Sequence, residues 1–182
     1  PKLFRHTPPL PVGVVRTMYH MTPYKNLDSI LHEGLHRMPA PLFTWGGTVP
    51  KRGGYVFLSS DKSFALIMMA DSVWWRVVTP EKFALLEVTV PAHVLLFPDP
   101  YYFTKGSSFV AFTKIPARSL KLIKAVDFSM LTPLPEGTDS DDEDTIKVMR
   151  RSKRLLKHQL QLTGLDAGEV EDVYSVMTEE EL

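Results

Sequence analysis

An α+β fold is what this sequence predicts, on three observations. Two segments with helical spacing lie between residues 23 and 75, and strand-like segments dominate after residue 80. The 182 residues are 44% hydrophobic and 23% charged, the mix of a globular chain that can bury a sizeable core. There is no internal repeat, and helices and strands follow each other in a non-repetitive order.

Each element has its own signal. Pro8, Pro9 and Pro11 make residues 1–13 an extended arm. Val14 to Met21, β-branched at its start, reads as the first strand. Pro23 begins a helix in which Leu27, Ile30, Leu31 and Leu35 follow the spacing i, i+3, i+4, i+8, and Gly34 marks its end. Residues 39–54 hold three Pro and four Gly, so they form a long loop. Tyr55 to Ser59 is a short strand. Asp61 caps a second helix that carries Phe64, Ala65, Ile67, Met68 and Met69 toward Trp74 and Trp75. Strands follow at Phe83 to Val90, Val94 to Phe97, Ser108 to Lys114 and Leu120 to Phe128; Pro91 and Pro98 close the first two. Thr138 to Thr145 is an acidic low-complexity linker. Ile146 to Leu162 is a basic helix whose acidic lead-in suits a helix N-terminus, and an acidic tail runs on to Leu182. The expected division is a proline-rich arm (1–13), a main domain (14–133), an acidic linker (134–145), and a basic helix with an acidic C-terminal tail (146–182).

Composition excludes several classes. With no cysteine, disulfides, thiolate metal sites and cysteine nucleophiles are out. The N-terminal Pro1-Lys2-Leu3-Phe4-Arg5-His6 lacks an apolar signal core, and no apolar run reaches the ~20 residues that a bilayer needs. No membrane partner and an intracellular location are expected. The missing initiator Met suits a processed product or part of something longer. The 21 basic and 21 acidic residues cancel, but they are segregated. Residues 1–133 hold 15 Lys/Arg against 8 Asp/Glu, a net of +7; residues 134–182 hold 6 against 13, a net of −7. A basic body can attract phosphate-bearing ligands; equally, it can be a solvated surface on which the acidic tail folds back.

The most informative stretch is Tyr19-His20-Met21-Thr22, followed by Asn26-Leu27, Ile30-Leu31 and Gly34-Leu35. His20 and Thr22, two apart on a strand, share a face and could hydrogen-bond one ligand together. His20 could also be a satisfied, half-buried histidine. Downstream come Gly54-Tyr55-Val56-Phe57-Leu58-Ser59, then a helix with Ala65, then Leu85 to Pro91, then Ser108-Phe109-Val110-Ala111-Phe112-Thr113-Lys114-Ile115-Pro116. In this order the motifs over residues 14–128 resemble the ADP-ribosyltransferase-like superfamily. The first block is similar to DarT-type DNA-modifying ADP-ribosyltransferases, a toxin-like group. Phe-Thr-Lys-Ile-Pro is similar to the RNA 2′-phosphotransferases, which share that fold and also consume NAD.

The resemblance implies a split β-sheet core with two helices in its N-terminal half, NAD as substrate, and a cleft between the half-sheets. It implies that His20 hydrogen-bonds the ribose of the nicotinamide half, that Thr22 lies by the nicotinamide carboxamide, and that Tyr55 or Phe57 stacks on the nicotinamide ring. Stacking suits a flat leaving group, although either ring could simply be core. Ser59 matches a small hydroxyl residue at the strand end, and Asn26 a polar position of the DarT-like pattern. The family's catalytic glutamate position falls on Ser108, with Ser107 beside it. No Glu lies between Glu87 and Glu136, and the only acids there are Asp99 and Asp127. A serine hydrogen-bonds but carries no negative charge, and losing that electrostatic stabilisation costs on the order of 10²- to 10³-fold in rate. Another acid, phosphotransferase-type chemistry without a Glu, or loss of catalysis would each account for Ser108.

Arg16, Lys51, Arg52, Arg76 and Arg118 are candidates for holding nucleic-acid phosphates, or are surface charges. Arg16 lies four residues before His20 on the same strand and is expected to share its face. His32-Glu33-Gly34-Leu35-His36 resembles a zinc-helix motif, but it has a glycine at the helix end and no evident third ligand, so no metal is expected. Trp74-Trp75 and Tyr101-Tyr102-Phe103 could stack on bases or fill the core. Two functions follow. One is an NAD-using ADP-ribosyltransferase-like enzyme acting on a nucleic acid or protein. The other is a non-catalytic binding or assembly module of a larger polyprotein or particle, tied to a protein partner through arm and tail.

Overall fold

The run Phe83-Ala84-Leu85-Leu86 lacks polar alternation, as a strand covered on both faces requires. In the structure, a computed structural model that describes residues 16–37, 54–99, 107–138 and 142–178, this run is central to a sheet. The elements are β1 (Thr17–Pro23), α1 (Leu27–Glu33), β2 (Val56–Ser59), α2 (Lys62–Trp74), β3 (Lys82–Thr89), β4 (Leu96–Pro98), β5 (Ser108–Ala111), β6 (Leu120–Asp127), α3 (Glu143–Leu160) and α4 (Ala167–Thr178). The arm, Lys51, Arg52, Tyr101-Tyr102-Phe103 and Glu179 to Leu182 lie outside the described residues.

The six strands form one antiparallel sheet in the order β4-β5-β2-β1-β3-β6, so the fold is α+β. Its joints are unequal. β1 and β3 pair from Thr17↔Thr89 to Pro23↔Phe83, whereas β1 and β2 meet in the single register pair Tyr19↔Ser59. One residue on from that rung, the contact between them is made by a side chain, His20, on the Phe57 carbonyl. The β1–β2 joint is thus the narrowest pairing in the six-stranded sheet, with three strands on each side of it.

Several boundaries differ from the sequence reading. The first strand runs on to Pro23, whose φ of −53° and ψ of 132° remain extended. A 3₁₀ turn, Tyr24–Asn26, precedes α1, so the helix starts at Leu27 rather than Pro23. The fourth strand starts at Leu96 because Val94 N–H closes a turn on the Pro91 carbonyl at 3.0 Å. The fifth stops at Ala111, and the chain then turns so that Ile115 can pair with Leu35 in an isolated antiparallel bridge.

Cover on the two faces explains the burial of β3. Phe83 and Leu85 join Met21, Leu66, Trp74, Val126 and Phe128 in the larger core, while Ala84 and Leu86 pack with Leu27 of α1. A third cluster runs across the β1–β2 joint, linking Met18 of β1 and Val88 of β3 with Val56, Leu58, Leu96, Phe109 and Ile115. Asp61 caps α2 as expected, its Oδ1 accepting from Ser63 N–H at 2.8 Å.

The C-terminal helices are built into this core. Leu156 and Leu160 of α3 and Val170, Val173 and Met177 of α4 belong to the same cluster as Phe83 and Val126. Gly164, at φ +90°, turns the chain between them. Asp166 and Glu169 form a capping box: Glu169 N–H donates to Asp166 Oδ1 at 2.8 Å, and Asp166 N–H donates to Glu169 Oε1 at 3.1 Å. These bonds from Glu169 hold the Asp166 carboxyl below its usual range. The buried Glu169 carboxylate also takes Lys124 of β6 at Oε1 and Lys62 of α2 at Oε2, the latter at 3.8 Å. An acid of the negative segment is thus sunk between two lysines of the positive one.

Candidate functional site

The site grows from the joint between β1 and β2, which share the single register pair Tyr19↔Ser59. One residue past the Tyr19↔Ser59 rung, the His20 side chain takes the place of a backbone ladder bond. Its Nδ1 lies 2.8 Å from the Phe57 carbonyl oxygen. A carbonyl only accepts, so Nδ1 carries the hydrogen and Nε2 keeps its lone pair. Nε2 has no hydrogen-bond partner among the described residues. Burial lowers the His20 pKa below its ordinary 6.5, and the bond to Phe57 opposes that only in part. The imidazole is therefore neutral near pH 7, with Nε2 as an acceptor nitrogen.

That shift has a consequence for stability. An unfolded chain protonates His20 as pH falls through about 6.5, while the folded chain resists until a lower pH, so stability drops on acidification across that window. The slope from one such group is at most about 1.4 kcal/mol per pH unit. Asp127 and Asp166, both held low, lose their contributions only as pH falls below about 3.8 and so leave this window clear. Urea midpoints measured at pH 7.5 and 5.5 should fall less in His20→Gln than in the parent; equal falls would count against the buried neutral imidazole.

Aromatic rings line the β2 side. Tyr55 and Phe57 meet edge-on with centroids 6.0 Å apart, Tyr55 and Phe112 lie at 5.1 Å, and Phe112 and Phe97 at 5.3 Å. Tyr55 is 3% exposed and locked in this cluster, whereas Phe57 is only half-buried and keeps ring surface. Of the two stacking candidates, Phe57 is the ring a ligand can reach.

The remaining candidates fall on neighbouring rungs. Ser59 pairs with Tyr19 on one side and Ser108 on the other. Ser108 is two strand spacings from β1, about 10 Å. Thr22 is buried opposite Ala84 on β3. Asn26 is exposed at the N-cap of α1 and makes no side-chain capping bond. Phe57, Ser59 and Ser108 share the Tyr19 face of the sheet on two adjacent strands, whereas His20, one residue on, belongs to the opposite face with Leu86 and meets β2 only at the Phe57 backbone carbonyl; Asn26 is on the 3₁₀ turn beyond β1.

The basic candidates are not gathered there. Arg16 precedes β1 and clamps the following turn: its guanidinium donates to the carbonyls of Ala92, at 3.1 Å, and Val94. Burial lowers its pKa. Arg16 does not share the His20 site, because those carbonyls hold its head on the β3–β4 turn. Arg76, which follows α2 at φ +63°, pairs with exposed Glu136 at 2.8 Å. Arg118 is exposed on the 3₁₀ turn Ala117–Ser119. His32 and His36 do not share a helix face, since α1 ends at Glu33 and His36 turns back to Glu33 at 3.5 Å. Among the described residues, no group of three or more His, Asp or Glu is placed to hold a metal. Trp74 is buried core, with Trp75 stacked edge-on at 5.5 Å.

The sequence reading noted Asp99 only as one of two acids in its region and did not pair it with Ser108. The Ser108 hydroxyl donates to Asp99 Oδ2 at 2.9 Å, and Asp99 N–H donates to the Ser108 carbonyl at 2.9 Å. Asp99 stands just past β4, nine residues before Ser108. The signal available was a Pro-Asp-Pro end to one strand and a Gly-Ser-Ser start to the next, as in a hairpin whose ends face each other.

The fold and site define an α+β protein with a six-stranded antiparallel sheet and a histidine bonded across the β1–β2 joint. No protein-family model matches the chain, and no curated protein does either. No described helix is long and apolar enough to cross a membrane.

Proposed function

We propose that this chain is an ADP-ribosyltransferase-like protein that binds NAD at the joint between β1 and β2 and transfers its ADP-ribose, or uses NAD to accept a phosphate, with a nucleic acid or protein as the second substrate. The observation that carries the reading is the neutral His20 imidazole fixed by the Phe57 carbonyl, with Nε2 ready to accept from a hydroxyl. A ribose hydroxyl is such a donor. The half-buried Phe57 ring, on the other face of the sheet from His20, suits a flat cationic heterocycle, and the Ser59–Ser108 rung on that face supplies further hydroxyls to a ligand long enough to wrap the β1–β2 joint. The +7 balance of residues 1–133 favours a ligand carrying phosphates, even though Arg16 and Arg76 have carbonyl and carboxylate partners of their own.

A second reading has one observation in its favour. With Ser108 where a glutamate would stand, the protein could bind without catalysing, as an assembly module. Calorimetry at millimolar NAD and an assay of nicotinamide release separate the two. The first reading expects both binding and release, and binding weakened about tenfold in His20→Ala, as for loss of one good hydrogen bond. Absence of NAD binding by the parent protein would sink it. Incubation of labelled NAD with nucleic acid and protein acceptors, each in turn, identifies the second substrate.

A further inference from the structure

A glycosyl transfer from NAD generates positive charge at the ribose C1′, and an active site must meet it with negative charge. Ser108 has none. We infer that Asp99 supplies that charge through Ser108, making the pair Asp99–Ser108 the anionic element of the site; this rests on the NAD reading above. Ser108 is the hydroxyl that would touch the ribose, and Asp99 is a positioning residue behind it.

The geometry points there for three reasons. The Ser108 proton is committed to Asp99 Oδ2 at 2.9 Å, so the lone pairs of Oγ are left to accept from a ligand hydroxyl. Asp99 is 2% exposed, and in such surroundings a carboxylate one bond away acts more strongly than through water. The backbone bond from Asp99 N–H to the Ser108 carbonyl fixes both residues across the strand ends, so the charge does not have to be brought in. Among the described residues 88–135, the only other acid is Asp127, which lies at the end of β6. β6 is at the opposite edge of the sheet from β4.

The step balances as follows. The bond between nicotinamide N1 and ribose C1′ breaks, and its electron pair goes to N1, neutralising the pyridinium. An acceptor oxygen, water in the simplest case, bonds to C1′ and releases its proton to solvent. The products are ADP-ribose, nicotinamide and a proton.

The test compares nicotinamide release and NAD affinity in the parent, Asp99→Asn, Ser108→Ala and the double variant. Asp99→Asn keeps the shape and can still accept from Ser108 but loses the charge. The expected result is a fall in kcat of about 10²- to 10³-fold in each single variant, a KM and calorimetric affinity for NAD within about threefold of the parent, and a double variant no slower than the slower single one. Ser108→Ala leaves Asp99 in place, so it still decides the matter if Asp99→Asn fails to fold, which circular dichroism would show. A parent that turns NAD over, with an unchanged kcat in a folded Asp99→Asn or Ser108→Ala, overturns this inference alone. So does a parent that binds NAD without releasing nicotinamide. A parent that does neither overturns the NAD reading and this inference with it.

Discussion

Glu169→Ala is expected to melt about 4–16 °C below the parent protein. The carboxylate is 6% exposed and serves three partners: Lys124, Lys62 and the backbone N–H of Asp166. Removing one side of a buried ion pair costs about 3–5 kcal/mol when the stranded charge stays dry. Here Lys124 and Lys62 are 25% and 39% exposed, so water relieves part of that and about 2–4 kcal/mol is the better figure. For a chain of this length each kcal/mol moves the melting point by roughly 2–4 °C. Glu169→Gln keeps an acceptor for the capping box and should recover part of the loss. Thermal melts followed by circular dichroism would decide it, and a Glu169→Ala midpoint within 2 °C of the parent would refute the role. The pair also bears on function. It ties α4 to the sheet and to α2, and its one negative charge is set against two of the cations that make residues 1–133 basic.

How much of this was legible in the sequence depends on which contacts carry the signal. Local chemistry was readable: Asp61 as a cap, Gly34 as a helix end and the burial of the residue 83–86 run all follow from neighbours in the chain. The C-terminal helices were not readable as core. The stretch at Leu156 and Leu160 is rich in Lys and Arg, and its apolar residues gain meaning only against Val126 and Phe128, which lie far away in sequence. Arg16 illustrates the opposite limit. Strand alternation put it on the His20 face, but its long side chain reaches the carbonyls of Ala92 and Val94, and that reach is invisible to a pattern of twos. The Asp99–Ser108 bond closes a gap of nine residues across a hairpin, which sequence spacing alone does not orient.

Gly34→Ala should be the more damaging substitution, and it shows what the Ile-Leu-x-x-Gly-Leu pattern is for. Gly34 adopts φ +94° and ψ −178°, a region that is essentially glycine's alone. A Cβ there would lie 2.3 Å from the Ile115 carbonyl oxygen and 3.1 Å from Ala117 N, both backbone atoms that cannot rotate away. The close approach serves the bridge next door, where Leu35 and Ile115 exchange hydrogen bonds of 2.9 and 3.0 Å. Two motifs 80 residues apart are therefore one joint, holding α1 against the turn between β5 and β6. The dihedral strain accounts for about 1–3 kcal/mol, and the clash adds to it by forcing the bridge apart. Gly137→Ala separates the two contributions, because Gly137 also has positive φ, +79°, but no atom within 4 Å of the new Cβ. Chemical denaturation should show Gly34→Ala losing at least about 2 kcal/mol more than Gly137→Ala; equal losses would mean that crowding at Ile115 contributes nothing. The glycine–leucine and isoleucine–proline parts of the pattern are thus accounted for by backbone packing alone. The weight of any NAD chemistry rests on His20, Phe57 and the Asp99–Ser108 pair.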